Sequence, residues 1–65
     1  MKITYDSEVD VMRMIFNNSP IEESDEAKPG FIVDYDKEGN IVGLEILDAS
    51  KQIDNPRLVE YYIPK

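Results

Sequence analysis

The sequence predicts an α+β fold that is mainly β, an antiparallel meander sheet of about five strands with a short C-terminal helical segment. Three observations carry that reading. Phe31-Ile32-Val33-Asp34-Tyr35 and Ile41-Val42-Gly43-Leu44-Glu45-Ile46 alternate in character on either side of Asp36-Lys37-Glu38-Gly39-Asn40, the pattern of two strands joined by a tight turn. Lys2 to Tyr5 and Val11 to Phe16 are short apolar or alternating runs closed off by turn-forming residues, as half-buried strands are. After Leu47 the alternation fails, and Asp48 stands where a helix N-cap would.

Taken in order, Lys2 to Tyr5 places Ile3 and Tyr5 on one side of a first strand. Asp6-Ser7-Glu8-Val9-Asp10 reads as a turn, because Asp and Ser side chains bond nearby amides and draw the backbone out of a ladder. Val11 to Phe16 is a second strand with Met12, Met14 and Phe16 on its cleaner face; a short helix competes, but six residues bounded by Asn17-Asn18-Ser19-Pro20 suit a strand better. Ile21 to Ala27 carries Glu22, Glu23, Asp25 and Glu26 against only Lys28. So acidic a stretch belongs in an edge strand or a loop. Pro29-Gly30 marks a turn, with Pro presetting φ and Gly tolerating positive φ.

Folding the hairpin at Glu38-Gly39 pairs Tyr35 with Val42, Val33 with Leu44 and Phe31 with Ile46, all on one face. Gly43 within a strand signals either a bulge, a close approach by another group, or a tolerated small residue. Asp48 is expected to cap a single helical turn over residues 49–53. Asn55 with Pro56 then starts a second short helix to about Tyr62, ended by Pro64; alternatively Val59, Tyr61 and Ile63 alternate as a closing strand.

The chain of 65 residues is one small domain, residues 1–65, with a core over 1–52 and an individual tail over 53–65. Fourteen acidic against seven basic residues give a net charge of −7, which opposes binding to nucleic acid or an anionic membrane and favours basic partners. No apolar run approaches the roughly 18 residues of a membrane span, and Met1-Lys2-Ile3-Thr4 lacks a secretory h-region. A soluble, cytoplasmic protein is expected. With no Cys and no His there is no disulfide framework, thiolate nucleophile, sulfur-ligated metal or imidazole base.

The predicted sheet gathers Ile3, Tyr5, Met12, Met14, Phe16, Phe31, Val33, Tyr35, Val42, Leu44 and Ile46 on one face. Five strands about 4.8 Å apart offer far more area than a two-turn helix about 10 Å across can shade. A homo-oligomer is therefore expected, a dimer formed face to face or by exchange of C-terminal segments.

Candidate chemistry is sparse. Asp34-Tyr35-Asp36-Lys37-Glu38-Gly39, with Ile41 two places after the glycine and Glu45 closing it, nearly reproduces the calcium-loop pattern, Glu38 being the one departure. A calcium loop of that kind needs an entering helix, and Phe31 to Tyr35 supplies a strand. The acidic turn from Asp34 to Glu38 is thus the alternative site for a metal ion or small ligand, and a solvated turn is the plainer reading. The pairs Asp34 with Asp36 and Glu22 with Glu23 have the residue types for acid–base work, yet pairs arise readily among fourteen acids. Ser7, Ser19, Ser24 and Ser50 have no His to activate them. Tyr61-Tyr62 reads as packing or interface material rather than a base-stacking platform. No catalytic residue, cofactor site or metal site is assigned, and the protein is expected not to be an enzyme. The run Glu22 to Glu26 reads as a solubilising edge, or as the complement of a basic protein.

Lys2-Ile3-Thr4-Tyr5-Asp6, Pro20-Ile21 with its acidic run, Pro29-Gly30-Phe31-Ile32-Val33-Asp34-Tyr35-Asp36 and Ile41 through Lys51 together resemble the small prokaryotic domain-of-unknown-function family 2283. The resemblance covers residues 1 to about 52. Val11 to Phe16 is richer in Met than the family's usual segment, and the tail is individual. The resemblance implies a compact β-rich domain, and it brings no established activity and no catalytic residues. It also implies an association, since members are proposed as antitoxin-like partners of small basic proteins with a RelE-like toxin fold. An acidic domain would do this by occupying the basic patch where phosphates bind.

Overall fold

The computed structural model describes residues 1–65. Five strands, β1 (Lys2–Asp6), β2 (Val11–Ile15), β3 (Glu23–Lys28), β4 (Phe31–Tyr35) and β5 (Ile41–Leu47), precede a one-turn helix α1 (Ala49–Gln52). All strand pairings are antiparallel, in the order β1-β2-β5-β4-β3. β3, β4 and β5 form a meander, while β1 and β2 form a hairpin whose second strand lies against β5. Residues 16–22 therefore cross from the middle of the sheet to its far edge. They are tied on by Phe16 N–H donating to the Val42 carbonyl at 2.9 Å and Glu22 N–H to the Tyr35 carbonyl at 2.8 Å.

The acidic 23–28 segment is an edge strand, as its charge demands, with all six residues exposed. Pro29-Gly30 makes the turn into β4, Gly30 at φ 85°. Phe31 pairs with Ile46 and Val33 with Leu44, as the alternation predicts. The expected pairing of Tyr35 with Val42 is not formed: Tyr35 faces Ile41, and the register shifts between Asp34 and Tyr35. Asp36 is the cause. Its carboxylate accepts the Glu38 and Asn40 amides at 3.0 and 2.9 Å, and its carbonyl accepts Gly39 N–H at 3.0 Å. The turn thus closes over three residues rather than two, with Gly39 at φ 84°, and Val42 takes up the difference as a bulge.

The core is small. Met12, Ile46 and Ala49 form it, and Ile3, Tyr5, Met14, Phe31, Leu44 and Ile53 pack around them, half-buried. Helix α1 sits over this face because Ala49 is small enough to lie against β5 at 0% exposure. Asp48 does not cap the helix. It adopts φ 50°, left-handed rather than extended, and makes no capping bond. The tail forms neither the second helix nor the closing strand expected over residues 55–63. Leu58 N–H donating to the Asn55 carbonyl at 3.0 Å and Arg57 N–H to the Asn55 side-chain oxygen at 3.3 Å mark one turn. Beyond it Val59, Tyr61 and Ile63 remain exposed, with no neighbouring strand to take up their amides. No helix is long and apolar enough to cross a membrane.

Candidate functional site

Three features of the sheet could engage another molecule: its half-covered apolar face, its acidic edge, and a cavity on the opposite face.

The apolar face depends on a contact that local sequence patterns do not show. Asp10 ends the β1–β2 turn in the left-handed region at φ 57°, which Asp tolerates better than most residues. From there its carboxylate accepts the Tyr5 hydroxyl at 2.6 Å, the Ser50 amide at 3.0 Å and the Ser50 hydroxyl at 2.7 Å. Its carbonyl accepts Ala49 N–H at 2.9 Å. The helix start is thus held by a residue 40 positions earlier in the chain. The hydrogen bond from Tyr5, followed by that from Ser50, lowers the Asp10 pKa below its ordinary 3.8. Accepting that bond, Asp10 in turn raises the Tyr5 hydroxyl above its ordinary 10.0. The latch fixes α1 over the centre of the face and leaves the surroundings thinly covered. Only six residues in the chain are fully buried, and Leu58, Val59, Tyr61, Tyr62 and Ile63 are all more than half exposed.

The acidic turn does not gather its oxygens. Asp36 is committed to the amides of its own loop, Glu45 lies on β5 opposite Ile32, and Asp34 bonds to Ser24 across β3 and β4. No three His, Cys, Asp or Glu side chains stand close enough to hold a metal ion. Glu22 and Glu23 are both exposed. Of the four serines, Ser24 and Ser50 are engaged with Asp34 and Asp10.

Asp34 is the residue whose surroundings the sequence least foretold. It is 1% exposed, yet lies on the face away from α1, opposite Ser24 on one side and Gly43 on the other. The Ser24 hydroxyl donates to its Oδ1 at 2.6 Å. Gly43 allows the approach: a Cβ there would stand 2.8 Å from the Met14 carbonyl oxygen and 3.4 Å from Asp34 Oδ2. A bulge and a close approach therefore coincide at residues 42–43. Val42, expected on the apolar face, instead lines a cavity of about 190 Å³ beside Asp34, closed over by the 16–22 crossing. The one signal for this site in the sequence is a lone acid in the otherwise apolar or aromatic run Phe31 to Tyr35, facing a lone glycine in the paired strand.

A family model described as Protein of unknown function (DUF2283) matches residues 2–50, three quarters of the chain. No curated protein and no solved structure matches it.

Proposed function

We propose, for a chain that belongs to the domain-of-unknown-function family 2283, that it is a non-enzymatic, self-associating interaction module of the cytoplasm. Its apolar face is completed by a second copy, and its acidic edge masks a basic protein in the manner of an antitoxin. The observation that carries this reading is the mismatch between apolar surface and cover. Four hydrophobic side chains are fully buried, while five large ones in the tail stand exposed beside a half-covered sheet face. Each such side chain gains about 1.5–3 kcal/mol on full burial, and a domain this small has little stability to spare. A second copy supplies the missing cover without a new sequence element.

For the heterologous partner, β3 offers an unpaired backbone edge bearing Glu23, Asp25 and Glu26 against Lys28 alone. A basic strand or loop matches both its hydrogen-bonding groups and its charge. Light scattering on the eluting peak should give twice the 7.5 kDa chain mass at micromolar concentration; a monomer there would refute the self-association. Capture from lysate should recover a basic protein stoichiometrically in low salt and release it in high salt. Recovery indifferent to salt would contradict the masking.

A further inference from the structure

We infer that the cavity at Asp34 is a binding site for an alkylammonium group, and that its occupant is a lysine side chain of the basic partner. As to the occupant, the inference rests on the masking reading above. The site itself rests on geometry.

A carboxylate taken this far from water ordinarily has a cation or several donors against it. Asp34 is 1% exposed, and the single hydrogen bond it accepts comes from a neutral hydroxyl, that of Ser24, on Oδ1. No fully buried side-chain oxygen in the protein lacks a partner. Oδ2, which receives no hydrogen bond, is therefore the atom through which Asp34 keeps its remaining exposure, and the surface it meets is the cavity it lines. Gly43 holds that opening, since a Cβ there would lie 3.4 Å from Oδ2.

The rest of the wall selects the cation. Ile15, Ile21 and Val42 give an apolar lining suited to methylene groups, and Asn17, Asn18 and Ser19 make most of the rest of the wall polar and uncharged. An ammonium carries three donors and no acceptor, and so suits a single free carboxylate oxygen in a wall that is, Arg13 apart, otherwise uncharged polar and apolar. A guanidinium prefers a bidentate carboxylate, and Ser24 already occupies Oδ1. The volume of about 190 Å³ accommodates about six water-sized groups at roughly 30 Å³ each, enough for the four methylenes and nitrogen of a lysine side chain. Arg13, exposed on β2, lines the cavity as a like charge to an incoming ammonium, and Lys2, opposite Ile15 on β1, stands on the same face.

The test is a titration of the ¹⁵N-labelled full chain with n-butylammonium chloride, with n-butylguanidinium chloride and neutral n-butanol alongside. Saturable one-site shifts centred on Ser19, Asp34 and Gly43 are expected with butylammonium, weaker ones with the guanidinium and none with the alcohol. Asp34→Asn should weaken binding about tenfold or more, the scale of a lost charge-assisted hydrogen bond. Arg13→Gln, at an exposed position that does not endanger folding, should tighten it by a few fold. Shifts that never saturate, that follow the β3 edge instead, or that are unchanged in both variants would overturn the site. To identify the occupant, Nα-acetyl-lysine amide is compared with putrescine: tighter putrescine binding by tenfold would assign the cavity to a free polyamine and remove the lysine. If the captured basic protein binds wild type and Asp34→Asn equally, the cavity is not its anchor, although the masking reading survives. If butylammonium binds and no basic protein is captured, the site stands and the masking reading fails.

Discussion

Gly43→Ala is the substitution that most directly tests how the centre of the sheet is built. Residue 43 is not among the glycines with positive φ, so alanine meets no backbone strain there. By restricting the unfolded chain it would even gain about 0.4–1 kcal/mol at a site with room. There is no room. The added Cβ would stand 2.8 Å from the Met14 carbonyl oxygen, which belongs to the backbone of the neighbouring strand and cannot rotate aside. Overpacking costs about 1–3 kcal/mol, and a contact under 3.0 Å against backbone belongs in the upper part of that range, about 2–3 kcal/mol, so the net loss is about 1–2.5 kcal/mol. For a domain of this size that lowers Tm by about 4–8 °C per kcal/mol. Gly39→Ala is the control, since nothing lies within 4 Å of its added Cβ but φ is +84°. It should lose about 1–2 kcal/mol through left-handed strain alone, and Gly39→Asn should recover much of that. Urea unfolding followed by circular dichroism, at one fixed protein concentration so that self-association does not enter, reads all three. Only Gly43→Ala should also disturb the Ser24 and Asp34 resonances. A Gly43→Ala protein as stable as wild type would refute the close approach of β2 to β5 and the origin of the Asp34 cavity with it.

The Asp10 latch makes stability depend on pH at both ends. Its pKa is depressed on folding, so its contribution is present above the unfolded value of 3.8 and lost as pH falls through the folded one. The Tyr5 value is raised, so its contribution is present below 10.0 and lost as pH rises through the folded value. Thermal melts across both windows should show Asp10→Asn flattening the two arms, and Tyr5→Phe abolishing the alkaline one and weakening the acid one, where the Ser50 bonds to Asp10 remain; unchanged profiles would mean that the latch does not form. Met12→Ala, at 2% exposure in the centre of the core, should cost about 2–5 kcal/mol, whereas Met12→Leu should cost less than about 1.5 kcal/mol. Equal melting temperatures for the two would place the core elsewhere. Deleting residues 55–65 should leave the far-ultraviolet spectrum of the sheet intact while lowering the mass in light scattering to that of one chain. A truncated protein that still pairs would leave the sheet face alone as the interface.

The sheet was largely legible because its signals are local and redundant. Alternation on both sides of the 36–40 turn determines the Phe31–Ile46 and Val33–Leu44 pairs independently of what the turn does. The acid content of 23–28 excludes it from the middle of a sheet whatever its length. What the sequence concealed is either a matter of one residue in the backbone or of distance along it. A period-two pattern counts residues and does not see that Asp36 binds two amides of its loop and so pushes Val42 into a bulge. Likewise, Asp48 has the right type and place for a helix cap. The bond is made instead by Asp10, whose position beside Ser50 follows from the β1–β2–β5 pairing and from no nearby residue. The Asp34 site combines both difficulties, needing the bulge, the glycine, and a crossing segment from elsewhere in the chain.

The topology also separates two kinds of association. With β1 and β3 as its edges, the sheet has two places where another strand could add, and β3 is guarded against its own kind. Glu23, Asp25 and Glu26 on one copy would face the same acids on another, and like charges directly across a ladder are destabilising. Pairing between copies is thereby directed away from that edge and toward the apolar face, where burial is indifferent to charge. The same repulsion turns to attraction for a basic strand. The face that carries Asp34 adds Asp6, Glu26 and Glu45 to the field such a partner meets, opposed by Lys2 and Arg13. Two copies joined through their apolar faces would thus leave both acidic edges and both Asp34 cavities turned outward, so self-association and capture of a basic protein occupy different surfaces and need not compete.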